Sequence, residues 1–560
     1  MGIVLRLGAA RPGAAAGVLL ALTAGPAAAE AALLLWAGNR AALALAPQAG
    51  APVPVGVFHD LRWVLVYHDS WTTFALALLG AVALRTVLGT ATVLAAWPPE
   101  TPRPCPRRLA GTTLIATAVS LAALAPWAAV TVAAGVTALS WFSVGATIAV
   151  LALALALARA PVTGTWWRGL PPPAALAWTV AAFVVATLGA LAVGLSPGWA
   201  AVPLAAVAGA ANAPIWRGLV RAVARTRPRA PRLPLVPAVV LLLLLALAGS
   251  GALARSGSRN AARPPPALVL RDGAPAPGQA LVYVGGYDST YDGGIGYAPD
   301  PAARPVLPVT RFSYAGIDER GRPLPYGPAS THQSLERSAD LLARQVADVR
   351  RRTGRPVAVL GHSEGTLVVR AYLERRPTPE VQGAILLSPL PQPGRVHYPP
   401  PHANGGWGLA TGWLLRGIFS VIQSNGGTGI SSDQPFVRSL LDGGDRYRDR
   451  VLCPVPGIRM IAFLPVLDAI ADPPGPEPGI PVVVVPERHA MDYGRASVQR
   501  RIVAFLNGAP PPAPRTGSYR AVRAAAAAWQ APSLAPGLNP AWRDPPAPAD
   551  PGRCPARPGP

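Results

Sequence analysis

The sequence predicts a two-part chain: an N-terminal all-α transmembrane bundle of about seven helices, then an α/β domain with a mostly parallel sheet. Three observations predict it. Long apolar runs recur as far as residue 252 with very few charges inside them. From residue 279 the apolar runs shorten to strand length and alternate with amphipathic segments. Between the two lies a stretch rich in proline, glycine and arginine. Charged residues make up only 14% of the chain and hydrophobic residues 51%, against roughly 25% charged in a typical soluble protein. That excludes a simple soluble enzyme and most disordered proteins.

The formal charge of +23 invites a nucleic-acid reading. It divides almost evenly between residues 1–250 and the rest, however, and every basic residue is arginine. With 67 prolines and 57 glycines, this is the signature of a GC-rich coding bias rather than of a phosphate-binding face. Aromatic and motif support for nucleic-acid binding is lacking, so no such partner is expected. Cys105, Cys453 and Cys554 are too few for a disulfide scaffold and form no Cys-X-X-Cys pair.

Residues 1–252 form the membrane domain, with helices expected near 14–36, 72–97, 110–131, 138–158, 174–194, 198–215 and 234–252. Most reach the roughly 20 residues that cross a bilayer; the sixth, holding Pro203 and Pro214, is the weakest. Arginines cluster before the first helix and in alternate loops, including six between Arg217 and Arg232. The positive-inside rule then puts the N-terminus in the cytoplasm and everything after 252 on the extracytoplasmic side. Ala27-Ala28-Ala29-Glu30 resembles a signal-peptidase site, but the apolar run continues through Trp36, which favours an uncleaved anchor. Glu30 and Arg85 are the ionisable groups within spans, and snorkelling or packing against helix dipoles is expected of them.

Residues 253–278 read as a linker. In 279–508, strands are expected at Ala280–Val284, Val309–Tyr314, Pro356–Leu360, Ala384–Leu387, Ile458–Leu464 and Val482–Val485. Helices fall between them: one capped by Thr331 and running to Arg352, one following Leu360 directly, and a last one at about 495–507. Continuous apolar strands joined by helices mean a parallel sheet covered on both faces. The stretch 398–450 breaks this rhythm and could serve as a cap. Residues 509–560 read as a disordered Pro/Ala-rich tail.

Chemistry concentrates at Gly361-His362-Ser363-Glu364-Gly365, set between an apolar strand and a helix. A sharp turn there lifts a serine hydroxyl above the sheet edge, and side chains at the glycine positions would clash across it. Over about 279–508 the chain resembles the α/β-hydrolase superfamily. The resemblance implies an acid after a later strand, then a histidine after the last one. Asp468, in Asp468-Ala469-Ile470-Ala471-Asp472-Pro473, is the preferred acid, with Asp472 as rival; His489 is the one histidine in order. It also implies an oxyanion hole from the backbone N–H groups of Glu364 and Tyr287. Gly285 stands where the family often has histidine, and the HGGG form is missing. The function implied is a membrane-anchored serine hydrolase cleaving an ester, lipase- or esterase-like, through an acyl-enzyme, with no metal or organic cofactor. The expected substrate is a lipid or other ester. Two alternatives remain: a cell-envelope acyltransferase with the same triad, and a non-catalytic membrane protein carrying a hydrolase-like domain. Cys453 and Cys554 share the outer side, but a mobile tail supplies no reason for contact, so two independent thiols are expected.

Overall fold

The computed structural model describes residues 12–226, 233–261, 278–292, 309–375, 380–424, 431–475, 477–489, 495–511 and 513–542. The N-terminal part is helical: α1 (Pro12–Trp36), α2 (Val53–Val66), α3 (Trp71–Ala96), α4 (Pro106–Thr137), α5 (Ser140–Ala156), α6 (Pro173–Leu195), α7 (Ala201–Ala210), α8 (Asn212–Ala224) and α9 (Leu235–Ala261). Five segments are long and apolar enough to cross a membrane: Ala14–Trp36, α3, α4, α6 and Gly198–Ala224. Shorter apolar helices lie at α5 and Leu235–Gly249. The sixth expected helix thus runs longer than its sequence suggested. Pro203 and Pro214 fall in the first turns of α7 and α8, where no backbone donor is needed.

Alternate loops gather at opposite ends of the bundle. At one end Glu100 ion-pairs with Arg225 and the Gly169 amide donates to Leu233 (2.9 Å). At the other end, the segment between α1 and α3 and the C-terminal end of α4 meet the C-terminal domain. The amides of Gly394 and Arg395 donate to Val136 and Gly135 (2.8 and 3.1 Å), and those of Gly406 and Gly408 to Asp69 and His68 (both 2.7 Å).

The segment 37–71 is more than a loop. It folds into a 3-10 turn, Arg40–Gln48, and the buried helix α2. This accounts for the charges that the spans carry. Arg85 grips Asp60 of α2 in bidentate fashion (2.8 and 2.6 Å), and Glu30 accepts from Trp63 of α2 (3.1 Å) and contacts the His59 ring (3.0 Å). The snorkelling expected of Glu30 and Arg85 is therefore replaced by pairing, the usual solution for a charge withdrawn from water.

The C-terminal domain contains β1 (Ala280–Val284), β2 (Val309–Arg311), α10 (Leu335–Thr353), β3 (Val357–His362), α11 (Glu364–Arg375), β4 (Val381–Leu387), α12 (Leu409–Ser424), α13 (Pro435–Asp442), β5 (Arg459–Pro465), β6 (Val482–Val485), α14 (Ala496–Leu506) and α15 (Gly517–Ala526). The strands form one sheet of order β2-β1-β3-β4-β5-β6, with every pair parallel. Both faces are covered. Leu281, Leu360, Ile385 and Phe463 pack with Ile502 and Phe505 of α14, whereas Val282, Val359 and Leu386 face the core that α10 and α11 complete. Thr331 does not cap α10. Ser334 does, its Oγ accepting the Arg337 amide (3.3 Å), because 328–332 closes into a separate 3-10 turn.

Three further expectations change. The helix α9 continues to Ala261, into the expected linker, of which 262–277 lie outside the described residues. Residues 513–542 are folded rather than disordered. Trp529 stacks on Phe183 of α6 (3.9 Å between ring centroids), and Arg62 of α2 donates to the carbonyls of Ala528 and Gln530 (2.7 and 2.6 Å). Trp529 finds its apolar partners in the helical bundle, whereas Tyr519 and Trp542 are buried against the C-terminal domain, and a reading by composition overlooks both. Cys453 is disulfide-bonded and Cys105 is free, so Cys453 is not the independent thiol expected; Cys554 lies outside the described residues.

Candidate active site

The β3–α11 junction turns through Ser363, whose φ of +53° lies in the left-handed region, at a cost of roughly 1–2 kcal/mol for a residue with a side chain. Its neighbours make that conformation feasible. A Cβ at Gly361 would sit 2.5 Å from the Gly365 carbonyl oxygen, and one at Gly365 would sit 2.3 Å from that of Val284. Only glycine fits at either position. The turn thereby presses against the end of β1, and a Cβ at Gly286 would lie 2.9 Å from Ser363 Cβ. The Gly285-Gly286-Tyr287 turn is held there by Tyr314, whose hydroxyl donates to the Gly285 carbonyl (2.8 Å).

The structure brings the three distant residues together. His489 Nε2 lies 2.7 Å from Ser363 Oγ, and its Nδ1 lies 2.8 Å from Asp468 Oδ2. A carboxylate can only accept, so Nδ1 carries the ring proton and Nε2 is free to take one from Oγ. Asp468 follows β5 in a 3-10 turn and is buried. Its second oxygen, Oδ1, accepts from Ser140 Oγ (3.1 Å), the first residue of α5.

Asp472 serves elsewhere. It is fully buried and accepts from the Tyr519 hydroxyl (2.7 Å) on α15. Burial pushes its carboxyl up to about 6, against the pull of Tyr519, Arg395 and Arg523. The folded state therefore holds this proton more tightly than the unfolded chain. Stability from this group is complete below its ordinary value of 3.8 and is lost as pH rises through about 6. Asp472→Asn keeps an acceptor for Tyr519 and cannot ionise. Its melting temperature is expected to gain on the wild type as pH rises from about 5 to about 7.5, and a constant difference in thermal unfolding would contradict this.

The flanks of Ser363 hold further groups. Burial, with His489 beside it, pushes His362 down to about 3, so its imidazole stays neutral. Burial, with Asp288 nearby, holds the Glu364 carboxyl well above the usual range, and neither of its oxygens has a hydrogen-bond partner among the described residues. Tyr287 stacks on His332 (4.7 Å), which contacts Asp288 Oδ1 (2.6 Å) and Gln434 (3.1 Å), and the Tyr287 hydroxyl donates to Gln434. This Tyr287–Asp288–His332–Gln434 group steadies the turn beside Ser363. Sequence order could not find it, because its members come from three separate segments.

A cleft of about 280 Å³ opens over Ser363 and His489. One wall is Phe419 of α12 and Phe436 and Val437 of α13, within the stretch expected to be a cap. The opposite wall is the α4–α5 corner of the membrane part, including Val136, Leu139 and Trp141.

Residues 309–442 match the family model described as serine aminopeptidase, S33. The match spans β2, the Ser363 turn and both wall helices. The C-terminal domain has the α/β-hydrolase fold. Asp468 and His489 lie beyond the matched segment, so their place in the hydrolase site rests on the distances above. A search of curated proteins found no match to the chain.

Proposed function

We propose that the chain is a membrane-anchored serine hydrolase that cleaves carboxylic esters on the extracytoplasmic side, with Ser363, His489 and Asp468 as its triad. The observation that carries this reading is the unbroken hydrogen-bonded series from Ser363 Oγ through the His489 ring to Asp468 (2.7 and 2.8 Å). His489 Nε2 takes the Ser363 proton as Oγ attacks the ester carbonyl. Asp468 keeps the ring in the required tautomer and stabilises the imidazolium. The backbone N–H groups of Glu364 and Tyr287 receive the oxyanion. His489 then returns the proton to the leaving alcohol, and water, deprotonated by the same nitrogen, releases the acid. An alcohol in place of that water would make the same site an acyltransferase.

The description of the matched family brings in a second reading, removal of an N-terminal amino acid from a peptide. Such a substrate presents an ammonium group, which calls for an ionised carboxylate in the cleft. Among the described residues, the carboxyls lining it are Asp288, engaged by His332, and Glu364, whose carboxyl burial pushes well above the usual range. An ester with an apolar acyl group suits this lining better. Purified full-length protein is expected to turn over p-nitrophenyl butanoate and to leave aminoacyl p-nitroanilides intact; the opposite preference would replace the ester reading with the peptidase one.

Orientation has its own test. The hydrolase domain adjoins the end of the bundle opposite the Glu100–Arg225 pair, and arginine is concentrated at that pair's end. A phosphatase reporter fused after residue 256 is expected to be active outside the cytoplasm and one fused at 228 inactive. An inactive reporter at 256 would reverse the orientation.

A further inference from the structure

We propose that the substrate is a membrane-resident fatty acyl ester whose chain reaches Ser363 from within the bilayer along the outer end of α5, a substrate class that rests on the hydrolase reading above. The argument begins with Trp141. This side chain lines the cleft over Ser363 and is also 52% exposed. It heads a stripe on α5: Val144 and Ile148, three and seven residues on, are 37% and 63% exposed and lie on the same helix face. On a helix of a membrane bundle, an exposed apolar stripe faces acyl chains. One continuous apolar surface therefore runs from the bilayer to the nucleophile, with a tryptophan at the boundary that this residue favours.

The opposite lip repeats the arrangement. Phe419 of α12 lines the cleft, while Trp413 and Val421 of the same helix are half exposed. The last apolar helix, α9, packs on both α5 and α12, so both lips adjoin the bundle. Leu241, Leu242 and Leu245 on α9 are exposed as well.

Energetics favour this route. A chain that slides from lipid into an apolar cleft exchanges one apolar environment for another and exposes nothing to water. At about 280 Å³ the cleft lies at the small end of ligand pockets. It has room for the part of one chain next to its carbonyl, and the remainder of the lipid stays in the bilayer. The membrane helices thus form part of the binding site as well as the anchor.

The test uses full-length protein in phosphatidylcholine nanodiscs and a hexadecyl fluorophosphonate with a diazirine in mid-chain. Ser363 Oγ bonds to phosphorus as fluoride leaves, with the serine proton passing to His489; irradiation then inserts the chain into whatever lies beside it. Cross-links within 133–148 and 409–424 are expected. An adduct at Ser363 with cross-links confined to other segments would overturn this inference alone, and no adduct at Ser363 would overturn the hydrolase reading and the inference with it. A second measurement uses Trp141→Gln, a half-exposed position where folding is not at stake. The ratio of hexadecanoyl to butanoyl ester turnover is expected to fall at least fivefold, and an unchanged ratio would count against the route.

Discussion

Ser363→Ala is expected to lower kcat for a short p-nitrophenyl ester by about 10⁴–10⁶-fold, the range seen when a triad nucleophile is removed. The hydroxyl is the only group that His489 Nε2 approaches at 2.7 Å among the described residues, so nothing else stands ready to attack. The fold should tolerate the change. Alanine accepts the left-handed turn no worse than serine, and the loss removes a hydroxyl without opening a cavity. Membrane expression and thermal unfolding are therefore expected to match the wild type. Activity retained within tenfold would mean that another group is the nucleophile.

The second large effect is expected at the acid. Asp468→Asn should cost on the order of 10³-fold in kcat, somewhat less than the ~10⁴-fold loss when an asparagine traps the histidine in the wrong tautomer. The reason is Ser140. In the wild type its hydroxyl donates to Asp468 Oδ1 (3.1 Å) while the His489 ring donates to Oδ2 (2.8 Å). A hydroxyl can also accept, so it can turn to receive the asparagine N–H, leaving the amide oxygen for His489. The tautomer survives, and what is lost is the negative charge that stabilises the imidazolium. Asp472→Asn, whose carboxyl faces Tyr519, should leave kcat within about threefold. The reverse ranking in ester turnover would move the acid to Asp472.

The sheet was legible because buried parallel strands are written as uninterrupted apolar runs, as in Val482–Val485. The nucleophile turn was legible because tight backbone geometry demands two glycines. Asp468 and Asp472 follow the same strand, so strand order left both open as the acid, and it is the approach of the His489 ring to Asp468 that separates them in space. What remained hidden is tertiary. Arg85 reads as a stray charge until Asp60 is placed beside it. Ser140 is an ordinary serine at the start of an apolar helix, and only the docking of α5 on the β5 loop turns it towards Asp468. Residues 513–542 read as disordered because proline and alanine dominate them, yet a few aromatic and apolar side chains such as Trp529 and Leu534, buried against the rest of the protein, are enough to order the segment. Composition averages over a segment, whereas packing is decided by a few of its side chains.

The account stands on Ser363 being activated by His489. Native full-length protein treated with diisopropyl fluorophosphate, digested and mapped by mass spectrometry tests this most directly. A single adduct on the peptide containing Ser363, abolished by prior heat denaturation and absent from His489→Ala, is the predicted result. An unlabelled Ser363, or labelling that survives denaturation or the loss of His489, would contradict it.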